Sequence, residues 1–183
     1  MDRRAEVVRK TRETEVRLKL DLDGSGRTKV ECEERFLRHM VETLGRYAGF
    51  DLTLEAEGDE VHHLVEDVAI VLGKTLKQCL GETPIERTSF SIIPMDDALV
   101  LVAVDIIERP YSDVDCPDQL YAHFLRSFAM SSGVTLHVMV LRGYDEHHII
   151  EASFKALGKA LQDAVRPRNE ELSTKDRPKV SGI

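Results

Sequence analysis

The chain switches between two hydrophobic periods, and it does so twice. Val16, Leu18 and Leu20 alternate with polar residues, a period of two that predicts a half-buried strand. Asp23-Gly24-Ser25-Gly26 then reads as a hairpin turn, with residues 27–31 returning as the partner strand. Phe36, Met40, Thr43, Leu44 and Tyr47 follow at helical spacing, and Leu52 and Leu54 alternate as a further strand. A long helix is predicted over 61–80. The second half repeats the order: a strand over 98–106, a short return near Tyr111, a helix over 119–131, a strand over 134–141 and a helix over 146–165. Residues 166–183 are rich in Pro, Arg and Lys without periodicity and read as a tail.

The repeated order is a tandem duplication. A shift of 84 residues aligns Asp21 with Asp105, Cys32 with Cys116, His39 with His123 and Gly49 with Gly133. A shift of 85 aligns Leu72-Gly73-Lys74 with Leu157-Gly158-Lys159, the extra step being a small loop difference. Two copies are too few for a solenoid, which needs at least about three stacked units. The expected fold is α+β: two similar half-domains, each a small β-sheet with two helices packed on one face. The halves are expected over 1–84 and 85–165, with 166–183 as the tail.

Composition narrows the function. The 183 residues carry a net charge of −8, which argues against a nucleic-acid partner because such a protein normally shows a basic stripe. No apolar run approaches the roughly 20 residues that span a bilayer, so no membrane segment is expected. The charged start Met1-Asp2-Arg3-Arg4 lacks the apolar core of a signal peptide. Three cysteines, Cys32, Cys79 and Cys116, have no metal-type spacing and suit free thiols in a reducing cytoplasm.

The chemistry lies in the histidines. His-His-x-x-Glu occurs at His62-His63 with Glu66 and again at His147-His148 with Glu151, and His39 and His123 precede the copies by 23 and 24 residues. Six of the seven histidines belong to this pattern. On a helix, His62 and Glu66 share one face and can chelate one ion, as can His147 and Glu151. His63 and His148 stand about 100° round the helix and point elsewhere. The duplication suggests that each helix lends its second histidine to the other helix's ion. One site then holds His147, Glu151, His63 and His39, and the other holds His62, Glu66, His148 and His123. Three imidazoles and a carboxylate leave open positions on an octahedral manganese, iron or zinc ion, which favours catalysis. Structural sites tend instead to be closed tetrahedral sets of Cys or His.

Two other signals carry no site. Asp21-x-Asp23-x-Ser25-Gly26 resembles the start of an EF-hand loop, but position twelve is Cys32, where a bidentate glutamate is needed. His137, in an apolar strand, is expected to be a packed core residue.

The segments FLRHMVETL, HHLVEDVAI, PMDDALVLVAVD, ERPY, TLHV, HHIIEASFKAL and STK together resemble the imidazoleglycerol-phosphate dehydratase family over nearly the whole chain. The resemblance implies a hydro-lyase of histidine biosynthesis that dehydrates imidazole glycerol phosphate to imidazole acetol phosphate. It implies two manganese ions per active site, held by His39, His63, His147 and Glu151 and by His62, Glu66, His123 and His148. It also implies a homo-oligomer, a 24-mer with sites between subunits. Carried-over substrate contacts are Glu13, Arg87, Arg109 and the tail residues Ser173, Thr174 and Lys175. Two arginines and a Ser-Thr-Lys run make a sensible phosphate grip.

The chain departs from the family pattern in a shortened loop before His62, in Tyr47 where a histidine is usual, in Thr88-Ser89 for Phe-Gly, and in Asp176 for Gly. No metal ligand is lost. In the expected mechanism the substrate's ring bridges the two ions as an imidazolate, which expels the neighbouring hydroxyl, and Glu13 is the candidate general acid/base. A dinuclear metallohydrolase and a purely metal-cemented oligomer are the competing readings; the first typically uses a bridging carboxylate, and the sorting assigns none.

Overall fold

The computed structural model describes residues 2–170 and 172. The first half runs β1 (Arg4–Lys10), β2 (Thr14–Asp21), β3 (Thr28–Cys32), α1 (Arg35–Ala48), β4 (Asp51–Gly58) and α2 (Val61–Leu80). The second repeats it as β5 (Thr88–Met95), β6 (Ala98–Ile106), β7 (Tyr111–Val114), α3 (Gln119–Ser132), β8 (Val134–Arg142) and α4 (Glu146–Ala164). Each half forms one four-stranded sheet, in the orders β1-β2-β4-β3 and β5-β6-β8-β7. In both, the last strand pairs parallel with its neighbour and the other pairings are antiparallel. The fold is the expected duplicated α+β arrangement.

Two local expectations are corrected. Asp23-Gly24-Ser25-Gly26 is not a hairpin turn, because β4 lies between β2 and β3. Parallel strands need a crossover, which α1 supplies between β3 and β4 and α3 between β7 and β8. The carboxylate of Asp51 instead gathers the loop, accepting from the backbone N–H groups of Ser25 and Arg27 and from the Arg27 guanidinium. His137 is not a core residue: Val134, Leu136 and Val138 take the inward parity of β8, leaving His137 on the outer face beside Tyr111.

Strands β1 and β5 were not foreseen. In β1 the adjacent Val7 and Val8 blur the alternation; in β5 Phe90 and Ile92 face outward and stay exposed.

Alternation buries one face of each sheet. Val16, Leu18, Leu20, Leu52 and Leu54 point inward from the first, and Val100, Val102, Val104, Leu136 and Val138 from the second. Helices cover both inner faces, and they pair across the duplication: α1 packs on α4 and α2 on α3. One continuous core joins the halves. The repeated glycines mark the two helix crossings. A Cβ on Gly73 would stand 2.8 Å from the Phe128 carbonyl oxygen of α3, and one on Gly158 2.6 Å from the Leu44 carbonyl oxygen of α1. Tyr47 sits at the second crossing, with Lys155 Nζ 5.8 Å from its ring centroid.

Candidate metal centre

The crossed helix pairing decides which ligands meet. His39 on α1 faces α4, where His147 Nε2 and Glu151 wait, and His123 on α3 faces α2, with His62 and Glu66. Each histidine pair occupies the first turn of its helix, at the second and third helical positions. In α4 the N-cap Asp145 accepts from the backbone N–H groups of both His147 and His148 and so fixes where the helix begins.

The first cluster is His39, His147 and Glu151. Glu151 Oε2 lies 3.2 Å from His39 Nε2 and 3.4 Å from His147 Nε2. Glu151 is 8% exposed. Burial pushes its carboxyl up, but Lys155 Nζ at 2.9 Å and the His39 ring outweigh that and hold it below the ordinary carboxylate range. The second cluster is His62, Glu66 and His123, whose donor atoms all lie within 4.8 Å of one another. Glu66 Oε1 is 3.4 Å from His123 Nε2, and the His62 and His123 rings stack at 5.2 Å between centroids. His123 Nε2 is buried without a hydrogen-bond partner. A buried imidazole nitrogen left unsatisfied and aimed at a carboxylate and a second imidazole fits a divalent ion, since an orphaned buried polar atom is otherwise costly.

His63 and His148 join neither cluster. His63 Nδ1 lies 3.0 Å from Asp59 Oδ1 and 3.8 Å from Glu13 Oε2. His148 Nδ1 lies 2.6 Å from Asp97 Oδ1, and its Nε2 lies 3.4 Å from Asp96 Oδ2. One chain thus brings together three of the four expected donors at each site and leaves the fourth half-buried beside carboxylates, apart from both clusters.

The other candidates are dispersed. Glu13 lies in the β1–β2 turn, where its N–H donates to Thr11 Oγ1 and its carbonyl accepts from the Asp59 N–H. Its side chain is 56% exposed. Arg87 adopts a positive φ of 68°, its Nε is 2.8 Å from Asp105 Oδ1, and its Nη1 donates to the Leu172 carbonyl. Arg109 is exposed, with its carbonyl accepting from Thr135 Oγ1. Ser173, Thr174 and Lys175 lie outside the described residues. Sequence reasoning missed the carboxylates Asp59, Asp96 and Asp97; the Asp-Asp pair of the PMDDALV segment was the available signal.

Fold and site define a class: a duplicated α+β protein whose crossed helices build two equivalent histidine–carboxylate clusters. A family model described as imidazoleglycerol-phosphate dehydratase matches residues 28–161. An imidazoleglycerol-phosphate dehydratase of Acetivibrio thermocellus is 46% identical over 91% of this chain and 92% of its own length. One from Kineococcus radiotolerans is 41% identical over 100% of this chain and 96% of its own. Among solved structures, the Pyrococcus furiosus protein superposes with a TM-score of 0.83 at 36% identity, covering 92% of this chain and 98% of that one. The Staphylococcus aureus protein gives 0.81 at 29% identity, covering 90% and 99%. The chain belongs to the imidazoleglycerol-phosphate dehydratase family and is a hydro-lyase of histidine biosynthesis.

Proposed function

We propose that this enzyme dehydrates D-erythro-imidazole glycerol phosphate to imidazole acetol phosphate at a centre that holds two manganese ions and is completed between copies of the chain. The observation that carries this reading is the twofold three-plus-one arrangement of donors. His39, His147 and Glu151 await one more imidazole, as do His62, Glu66 and His123, while His63 and His148 stand free of both sets. His63 from one copy is then the fourth ligand to the first cluster of another, and His148 to the second. The apolar outer face of the second sheet, with Phe90, Ile92 and Met139 exposed, suits burial against other copies. The family resemblance supports a 24-mer for this assembly.

Manganese held by these histidines and glutamates would supply Lewis-acid stabilisation of negative charge developing on the substrate's imidazole, worth several kcal/mol. The chain's own residues do the rest. Glu13 is brought to the centre beside His63 and moves the proton between the substrate carbon and the departing hydroxyl, which leaves as water. The enol that remains becomes the ketone. Arg87 and Arg109 grip the phosphate with Ser173, Thr174 and Lys175, the tail run that begins one residue beyond the Leu172 carbonyl held by Arg87.

The test is formation of imidazole acetol phosphate by chelated and manganese-reloaded protein, with metal content and light scattering followed together. Activity, about two ions per chain and the large particle should appear together on reloading. A large, metal-loaded particle without turnover favours the metal-cemented oligomer and overturns the dehydratase reading; full turnover by metal-free protein overturns the metal centre.

A further inference from the structure

The two histidines outside the clusters are held alike by carboxylates that the duplication does not relate. Asp59 lies four residues before His63, at the entry to α2, and its Oδ1 is 3.0 Å from His63 Nδ1. Asp97 lies 51 residues before His148, in the β5–β6 turn, and its Oδ1 is 2.6 Å from His148 Nδ1. The shift of 84 that superposes the halves pairs Asp97 with Glu13, not with Asp59. Both residues end the first turn of their sheet, immediately before Thr14 of β2 and Ala98 of β6. In the second half this turn carboxylate is fully engaged: Asp97 accepts from His148, while its Oδ2 takes the backbone N–H groups of Tyr144 and Asp145. In the first half Asp59 takes the histidine instead, and Glu13 stays 3.8 Å away and exposed.

We propose that Asp59 and Asp97 are positioning residues that fix His63 and His148 with the proton on Nδ1, so that Nε2 is the nitrogen offered to a neighbouring chain's cluster, the looser 3.4 Å contact of His148 Nε2 with the exposed Asp96 giving way to it. A ring nitrogen that donates to a carboxylate leaves the other nitrogen as the lone-pair ligand and orients the ring, as outer carboxylates do around metal-bound imidazoles. Taking over the histidine contact in the first half is also what leaves Glu13 unengaged for proton transfer. Two unrelated positions arriving at one geometry is the mark of a requirement at the histidine. The inference rests on the proposed metal-linked assembly, and the experiment separates the two.

Asp59→Ala and Asp97→Ala are compared with the native protein by light scattering during manganese titration and by nitrogen NMR of the histidine rings in metal-free protein. The manganese concentration for half-assembly should rise about 10–100-fold in each variant. The rings of His63 and His148 should lose their single Nδ1–H signature, with the secondary structure unchanged. Asp97 also ties down the residues before α4, so Asp59→Ala is the cleaner arm. Native-like assembly midpoints with unchanged ring signals overturn the proposal. If the native protein shows no manganese-dependent assembly, the metal-linked reading falls instead, and the ring signals still decide this one.

Discussion

Gly158→Ala tests the connection between the fold and the metal centre. In a solvated helix interior the change stabilises, by about 0.5–1 kcal/mol, because alanine loses less backbone entropy. Here the new Cβ meets the Leu44 carbonyl oxygen at 2.6 Å, Tyr47 Cβ at 2.9 Å and the Ala48 nitrogen at 3.1 Å, all on α1. Ordinary van der Waals contact begins near 3.4 Å, so α1 and α4 must part by about 0.8 Å. Backbone cannot rotate out of the way as a side-chain end can. Overpacking of this kind costs about 1–3 kcal/mol, which exceeds the propensity gain and leaves a net loss of about 0.5–2 kcal/mol.

The same displacement reaches the ligands. His39 rides on α1 and His147 and Glu151 on α4, and metal–ligand distances tolerate only about ±0.2 Å. Manganese affinity at this cluster should therefore fall by about tenfold or more, while the His62–Glu66–His123 cluster keeps its affinity. Urea unfolding of the chelated protein reads stability without the linked contribution of bound metal, and calorimetric titration reads affinity. A variant that is as stable as the native chain, or more so, and binds manganese equally well at both clusters would refute the reasoning.

Two further outcomes are expected. Glu13→Gln should lower turnover at least about 100-fold with metal content and assembly unchanged, checked by steady-state assay and elemental analysis; near-native turnover removes Glu13 from proton transfer. Asp67→Ala should cost about 1–3 kcal/mol in urea unfolding, because the buried Asp67 accepts from Thr14 Oγ1 and from Arg9 Nε at 2.8 Å. Thr14 also closes the turn that carries Glu13, so turnover should fall as well; native-like turnover would show that this network does not hold Glu13.

The helices and the ligand candidates were legible because both depend on local spacing. A period of 3.6 places α2 and α4 within a residue of their observed ends, and chelation at four-residue spacing identifies His62 with Glu66 and His147 with Glu151. Strand pairing was not legible in the same way. The signal at Asp23-Gly24-Ser25-Gly26 is local and real, yet the partner of β3 is β4, which arrives only after α1. His137 sits among apolar neighbours in β8, but the alternation of Val134, Leu136 and Val138 puts it at an outward position. Asp59 is one acidic residue among many in its stretch, and the Asp96-Asp97 pair shows no spacing to His148; only the distances to His63 and His148 single them out.

The duplication accounts for a symmetric set of candidate ligands beside a proton chemistry that, as proposed, falls to one half. Each half has an imidazole outside its cluster and a carboxylate that holds it. The turn before the second strand of each sheet placed a carboxylate near that imidazole twice, as Glu13 and as Asp97. Asp97, one methylene shorter and saturated by three donors, can only orient. Glu13 has been relieved of that duty by Asp59 and remains solvent-facing at the end of a flexible side chain. A carboxylate can serve as a fixed acceptor or as a mobile proton carrier, but full engagement in the first role removes it from the second. In the proposed mechanism the first half therefore carries the acid/base group and the second half the fixed frame, although both would supply metal donors in equal number.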